Sequence, residues 1–187
     1  MQKYLALFRG INVSGKNIIK MEDLRKVMAN AGYADVATYI QSGNVVFTAT
    51  EPDKDIVRQH LEALIEKEYK LSITIFIFDE NDMHRAVHLN PFAGPDDIEE
   101  GTKRIYVTFL SGIPEARCYE KLLQAPIGED EIVLKDAILY FKLAGKVSDS
   151  KLSNNLIENK LKLRATMRNW NTTVKLFAML KETGSKS

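Results

Sequence analysis

Leu64–Thr74 reads LIEKEYKLSIT and Leu156–Thr166 reads LIENKLKLRAT, identical at six of eleven positions with an offset of 92 residues. Two further matches lie in the same order along the chain. Tyr4–Ile11 (YLALFRGI) resembles Tyr106–Ile113 (YVTFLSGI) at an offset of 102, and Gly43–Phe47 and Ala137–Phe141 end alike at an offset of 94. Three local matches in one order point to an internal duplication.

Working outward from these segments, the apolar periodicity predicts the elements of each copy. In the first, Lys3–Arg9 reads as a strand and Met21–Ala31 as a helix stopped by Gly32. Val36–Ile40 and Val45–Phe47 flank the turn signal Ser42-Gly43-Asn44, Asp53–Tyr69 is a second helix, and Ser72–Phe78 a last strand. The second copy repeats the order: strand Arg104–Leu110, helix Pro114–Leu123, hairpin strands Glu131–Leu134 and Ile138–Lys142, helix Ser153–Lys160 and strand Leu163–Met167, followed by a helix from about Asn171 to Lys181. Strand, helix, strand, strand, helix, strand is the ferredoxin-like βαββαβ order. The expected fold is therefore α+β, with two ferredoxin-like subdomains and mainly antiparallel sheets. Residues 1–78 form the first subdomain, 79–102 a helical and loop connection, and 103–187 the second subdomain with a C-terminal helix.

The offset falls from 102 to 94 between the first strand and the hairpin. The first copy thus carries about eight extra residues, placed mainly in Gly10–Lys20 where the second copy has only GIPEA. A loop that the repeated fold does not require is a natural place for function.

The bulk numbers are those of an ordinary globular protein: 45% hydrophobic and 27% charged residues over 187, with a net charge of +1. No apolar run reaches the roughly 20 residues that span a bilayer, and the opening segment lacks a signal-peptide cleavage pattern. One cysteine, Cys118, excludes an internal disulfide framework and fits a reducing, cytoplasmic compartment. Charge is uneven: residues 142–187 hold ten Lys/Arg against three Asp/Glu. A basic end either attracts an anionic partner or balances the acidic remainder within the fold.

RGINVSGKN (Arg9–Asn17), TYIQSGNVVF (Thr38–Phe47) and RATMRNWNT (Arg164–Thr172), in that order, resemble the DUF1697 family. This is a group of bacterial proteins defined by sequence and not by activity. The resemblance covers essentially the whole chain. It implies a two-subdomain α+β fold of ferredoxin-like character and no particular substrate.

Two segments carry the candidate binding residues. In Gly10–Asn17, G-I-N-V-S-G-K-N follows a P-loop up to the position of its Ser or Thr, where this chain has Asn17. The missing Mg²⁺ ligand, and the antiparallel sense expected for the first and last strands of a βαββαβ sheet, both argue against an NTPase. What remains is a basic, acid-free, Gly-rich loop able to bind an anion through side chains and backbone N–H groups. The topology puts it beside the 42–44 hairpin, so that Arg9, Asn12, Lys16, Asn17, Ser42 and Asn44 converge; alternatively the glycines serve turns and the asparagines bond local backbone. The second segment offers Arg164, Arg168, Asn169, Trp170, Asn171 and Lys175. Arg suits phosphate or carboxylate and Trp can stack on a base, whereas Asn171 also reads as a helix N-cap and a lone Trp as core.

Other constellations are weak. His84 and His88 are four apart but lack the accompanying Glu of a zinc motif, Cys118 has no evident base beside it, and the acidic run Asp96–Glu100 reads as solvated loop. No metal and no cofactor is expected. The leading expectation is a binding protein for a phosphate-bearing ligand, either a small molecule such as a nucleotide or a single-stranded nucleic acid. The alternatives are an enzyme acting on a small anionic metabolite and a ligand-free interaction scaffold.

Overall fold

The computed structural model describes residues 1–97 and 103–182. Residues 98–100 of the acidic run, and part of the expected connection 79–102, lie outside the described residues. Eight strands and six α-helices follow one another as β1 (Gln2–Phe8), α1 (Met21–Asn30), β2 (Ala34–Tyr39), β3 (Asn44–Ala49), α2 (Lys54–Tyr69), β4 (Ile75–Phe78), α3 (Glu80–His88), β5 (Ile105–Leu110), α4 (Ala116–Leu123), β6 (Glu131–Lys135), β7 (Ile138–Lys142), α5 (Asn154–Leu161), β8 (Ala165–Asn169) and α6 (Trp170–Lys181) among the described residues. They build two four-stranded sheets of the same topology, ordered β2-β3-β1-β4 and β6-β7-β5-β8, with every pairing antiparallel. The α+β fold with two ferredoxin-like sheets is thus observed.

Each sheet buries one face against its own helices. In the first, Tyr4, Ala6, Phe8, Val45 and Phe47 pack with Leu24 and Met28 of α1 and Val57, Leu61 and Ile65 of α2. In the second, Leu139, Phe141 and Ala165 pack with Cys118 and Leu122 of α4 and Ile157 and Leu161 of α5. The helices α2 and α5 begin and end where their sequence provides caps. The Asp53 side chain accepts from the amides of Asp55 and Ile56, and Ser153 does the same for Leu156, each satisfying donors that a helix start leaves orphaned. Lys70 and Lys162 stop α2 and α5 in the left-handed conformation, at φ 58° and 60°.

The register makes the duplication concrete. Tyr4 faces Phe47 across β1–β3 and Tyr106 faces Phe141 across β5–β7. Phe8 faces Ile75 in the first sheet and Leu110 faces Ala165 in the second. The capping lysines keep the offset of 92, but β4 and β8 correspond at 90, because the second copy spends two fewer residues between cap and strand. The shared Thr74 and Thr166 are therefore not equivalent positions, and β4 begins at Ile75 instead of Ser72. Its first amide is taken by the Glu62 carboxylate at 3.0 Å, as Glu158 takes that of Ala165 at 2.8 Å.

At that same offset Asp79 corresponds to Asn169, and each begins a helix. The Asp79 carboxylate accepts from the Asp82 amide, and the Asn169 side-chain Oδ1 accepts from the Asn171 amide. The cap of α6 is thus Asn169, and not Asn171 as the sequence suggested. α3 and α6 are the closing helices of two equivalent βαββαβα units. The compact units are Met1–His84 with the stretch from Leu176 onward, and Arg85–Lys175. The expected boundaries lay at 78 and 103; the observed division passes through α3 and α6 instead.

Candidate functional site

In the first unit, the C-terminal end of β1, the β2–β3 turn and the start of β4 meet at one end of the sheet. Phe8 N–H donates to Gly43 O and Arg9 N–H to Thr74 O, both at 2.9 Å. The inserted loop 9–20 leaves from this point. Its tip is a small hairpin: Lys16 N–H donates to Val13 O at 2.9 Å and Asn12 N–H to Asn17 O at 3.1 Å. Ser14 and Gly15 both have positive φ, 49° and 73°, as a type I′ turn requires.

Asn12 locks this loop in place. Its amide donates to Ile19 O and Gln41 O, and its oxygen accepts from Ile19 N–H, all at 2.8 Å. One side chain ties both ends of the loop to the hairpin turn. Asn12 itself sits at φ 54°, a conformation Asn tolerates better than most residues. Asn17 donates to Gly10 O at 3.0 Å. Asn44 is fully buried and donates to Tyr39 O and Ser42 Oγ. Gly43 is required here, since a Cβ on it would lie 2.7 Å from Ile11 Cδ1 and from Phe8 Cβ.

The structure thus brings Arg9, Asn12, Lys16, Asn17, Ser42 and Asn44 to one end of one sheet. It separates them by task. The amide groups of Asn12, Asn17 and Asn44 bond backbone or the neighbouring Ser42 and shape the site. Lys16 and Lys20 stand exposed, and Arg9 is half-buried. The segments 9–20, 36–44 and 69–78 contain no Asp or Glu, so the cations face no carboxylate from these three stretches. Sequence reading had not picked out the apolar side chains at this end: Val13, Ile18 and Ile40 are 57%, 60% and 51% exposed. Ile40 also carries a φ of 50°, which costs a β-branched residue about 1–2 kcal/mol. The run Val13-x-x-Lys16-x-Ile18-x-Lys20 was the available signal.

Asp79, at the end of the apolar strand β4, lies elsewhere. It follows β4, which runs antiparallel to β1, and so stands at the opposite end of the sheet from the loop. Lys54 pairs with it at 3.0 Å and with Asp82 at 2.6 Å. Burial pushes the Asp79 carboxyl up, but the Asp82 amide and the Lys54 ammonium outweigh it and hold it below the usual carboxylate range. This cluster joins the starts of α2 and α3 and reads as structural.

The second candidate segment belongs to the other unit. Trp170 is fully buried and its indole N–H donates to Asp97 O at 2.8 Å, so it offers no face to a base. Arg168 is buried and donates to Thr166 Oγ1 at 2.9 Å and Met167 O at 2.8 Å; burial pushes its guanidinium down to about 10, still cationic at neutral pH. Asn169 holds Lys103 O and Ile105 O through its amide while capping α6. Asn171 is half-buried and Lys175 exposed. Arg164 is exposed and lines a shallow cleft of about 380 Å³ with Ser111, Asn159 and Lys162. Four of the six residues thus face solvent only in part or not at all.

Among the described residues no group of three His, Cys, Asp or Glu could hold a metal ion, and no helix is long and apolar enough to cross a membrane. His84 meets the Phe177 ring edge-on at 5.9 Å, and Cys118 is buried.

Two ferredoxin-like units, one with an inserted basic loop, define an α+β protein built by duplication. The chain belongs to DUF1697, a family of proteins of unknown function, whose model matches residues 1–140. It is similar to the solved structure of a conserved bacterial protein from Streptococcus pneumoniae, with a TM-score of 0.72 and 24% identity over 96% of this chain and 99% of the other. That likeness concerns the fold. Comparison with curated proteins finds no match.

Proposed function

We propose that the chain is a binding protein for a phosphate-bearing ligand, held at the loop end of the first unit. One observation carries this reading: Lys16 and Lys20 stand exposed on a loop whose backbone Asn12 fixes through three hydrogen bonds, within segments free of carboxylates. A fixed loop loses little freedom on binding, and a loop with no carboxylate of its own keeps most of its field for an incoming anion, although Glu22 at the start of α1 lies within electrostatic reach of Lys20. Arg9 adds charge at the base of the loop. Asn12, Asn17, Ser42 and Asn44 act as the frame. The residues 164–175 are not needed for this reading, since Arg168 and Trp170 are buried. The buried single cysteine is in keeping with a cytoplasmic protein.

Isothermal titration with tripolyphosphate and with nucleoside triphosphates tests the proposal. Saturable binding at low salt is expected, weakened at least tenfold in the Lys16→Ala, Lys20→Ala double variant. Equal affinity in the double variant and the parent chain, or no binding by either, would remove the loop as an anion site.

A further inference from the structure

The loop end of the first unit carries more than charge. Val13, Ile18 and Ile40 are each more than half exposed, and Asn12 ties together the three stretches that bear them, bonding Ile19 and Gln41 from within the loop. Exposed apolar residues scattered singly need no explanation, but several held together on a fixed frame mark an interaction surface. Ile40 adds a second sign, because its left-handed backbone, φ 50°, is one that a β-branched residue adopts only when the surroundings enforce it.

Along the loop, apolar and cationic side chains alternate: Val13, Lys16, Ile18, Lys20. A ligand that satisfies such a surface must itself alternate anionic and apolar groups. Free phosphate leaves the apolar side chains wet. A nucleic-acid duplex hides its base faces inside the stack and offers phosphates alone at its surface. A single strand presents both, one phosphate and one open base face per residue. The segments 9–20, 36–44 and 69–78 carry no acidic residue, and with Glu22 the carboxylate coupled to Lys20 this end suits an extended polyanion better than one isolated carboxylate or phosphate.

We propose that this surface binds single-stranded nucleic acid, with Lys16 and Lys20 meeting successive phosphates and Val13, Ile18 and Ile40 packing against base faces. This rests on the phosphate-binding reading above and names its partner class. The contact is independent of base sequence, because aliphatic side chains bury base surface without reading hydrogen-bonding edges. With two lysines engaged, the logarithm of the affinity falls with the logarithm of salt concentration at a slope of about −1.4.

Fluorescence anisotropy of a labelled twenty-residue oligo-dT with the full chain tests this, using unlabelled tripolyphosphate, poly-glutamate and a twenty-base-pair duplex as competitors. The double variant Ile18→Ser, Ile40→Ser is expected to lose at least tenfold in oligonucleotide affinity while its tripolyphosphate affinity, measured by titration, stays unchanged. Both side chains are exposed, and an unaltered thermal melt confirms that the variant is folded. The Lys16→Ala, Lys20→Ala variant is expected to lose both ligands. If the isoleucine variant binds the oligonucleotide as the parent does, or if poly-glutamate or duplex displaces it as well as unlabelled oligo-dT, the single-strand assignment falls and the phosphate site stands. If neither tripolyphosphate nor oligonucleotide binds, both readings fall together.

Discussion

The two sheets have the same strand order and the same backbone bonds at the end where their first strands exit, yet that end is built differently in each. In the first unit Phe8 N–H bonds Gly43 O and the chain then runs through Arg9–Lys20 before α1; in the second Leu110 N–H bonds Ala137 O and only Ser111–Glu115 precede α4. Ile11 and Ile113 occupy matching positions, but Ile11 is 1% exposed and Ile113 72%. The turns beneath them differ as well: Tyr39 pairs with Asn44 across four residues, Lys135 with Ile138 across two. Gly43 leaves the space that Ile11 fills, since a Cβ there would meet it at 2.7 Å. Ala137 carries that Cβ. Around the second hairpin, Asp136 instead pairs with Arg85. Gly43 accommodates an inserted loop that folds down onto its sheet, and the loop in turn holds Val13, Lys16, Ile18 and Lys20 in solvent. The copy without the glycine has no such platform.

If that contrast is right, matched substitutions should behave unequally. The largest gap is expected between Ile11→Ala, which empties a packed site and should cost about 2–5 kcal/mol, and Ile113→Ala, which should stay within about 0.5 kcal/mol of the parent. Urea unfolding measures both, and equal costs would refute the idea that only one end is closed. Next comes Gly43→Ala. It adds both a clash and a side chain at φ 77°, and should destabilise by about 2–4 kcal/mol, whereas Ala137→Gly in the second unit should cost about 1 kcal/mol or less. Asn12→Ala is expected to cost about 1–3 kcal/mol by stranding the carbonyls of Ile19 and Gln41 and the amide of Ile19. Because it frees the loop, it should also speed amide hydrogen exchange at residues 13–20; protection unchanged there would mean that the loop is held by something other than Asn12.

Much of this architecture is legible in the chain, and what is not has physical reasons. Tyr4–Ile11 against Tyr106–Ile113 exposes the repeat because both strands bury both faces and so admit few residue types. The insertion follows from the change in offset, and Ser42-Gly43-Asn44 announces a turn. The equivalence of α3 and α6 is not legible, since ENDMHRAVH and WNTTVKLFAMLK share a role without sharing residues. Nor are the tasks of the polar residues. Asn12 and Lys16 look alike as candidates for ligand contact, but only the backbone path shows that an amide reaches Gln41 while an ammonium reaches solvent. Trp170 and Arg168 read both ways, as ligand contacts or as packed groups, because residue type alone does not decide; β8 runs straight into α6, and both side chains at this strand–helix junction are buried.

The finest test of the comparison lies at the closing helices, where Asp79 and Asn169 hold matching positions with different chemistry. Asp79 accepts from the Asp82 amide and the Lys54 ammonium, and its carboxyl is held below the usual range. A carboxyl depressed in the folded state stabilises it above the unfolded pKa of about 3.9, and that contribution is lost as pH falls through the folded value. Asn169 is uncharged and contributes no such dependence. Asp79→Asn, which gives the first unit the second unit's cap, should therefore lower the melting temperature at pH 7 by a few degrees, with the gap closing in melts taken below about pH 4. The reverse exchange does not restore symmetry. Asn169 donates to Lys103 O and Ile105 O, and a carboxylate there would face two carbonyls with nothing to give, so Asn169→Asp should destabilise at pH 7 and recover as acid protonates it. Both deficits should therefore shrink in acid for opposite reasons, the parent losing a carboxylate it uses at Asp79 and the Asn169→Asp variant losing one it cannot satisfy; a deficit in either variant that persists unchanged below about pH 4 would mean that charge at that position plays no part.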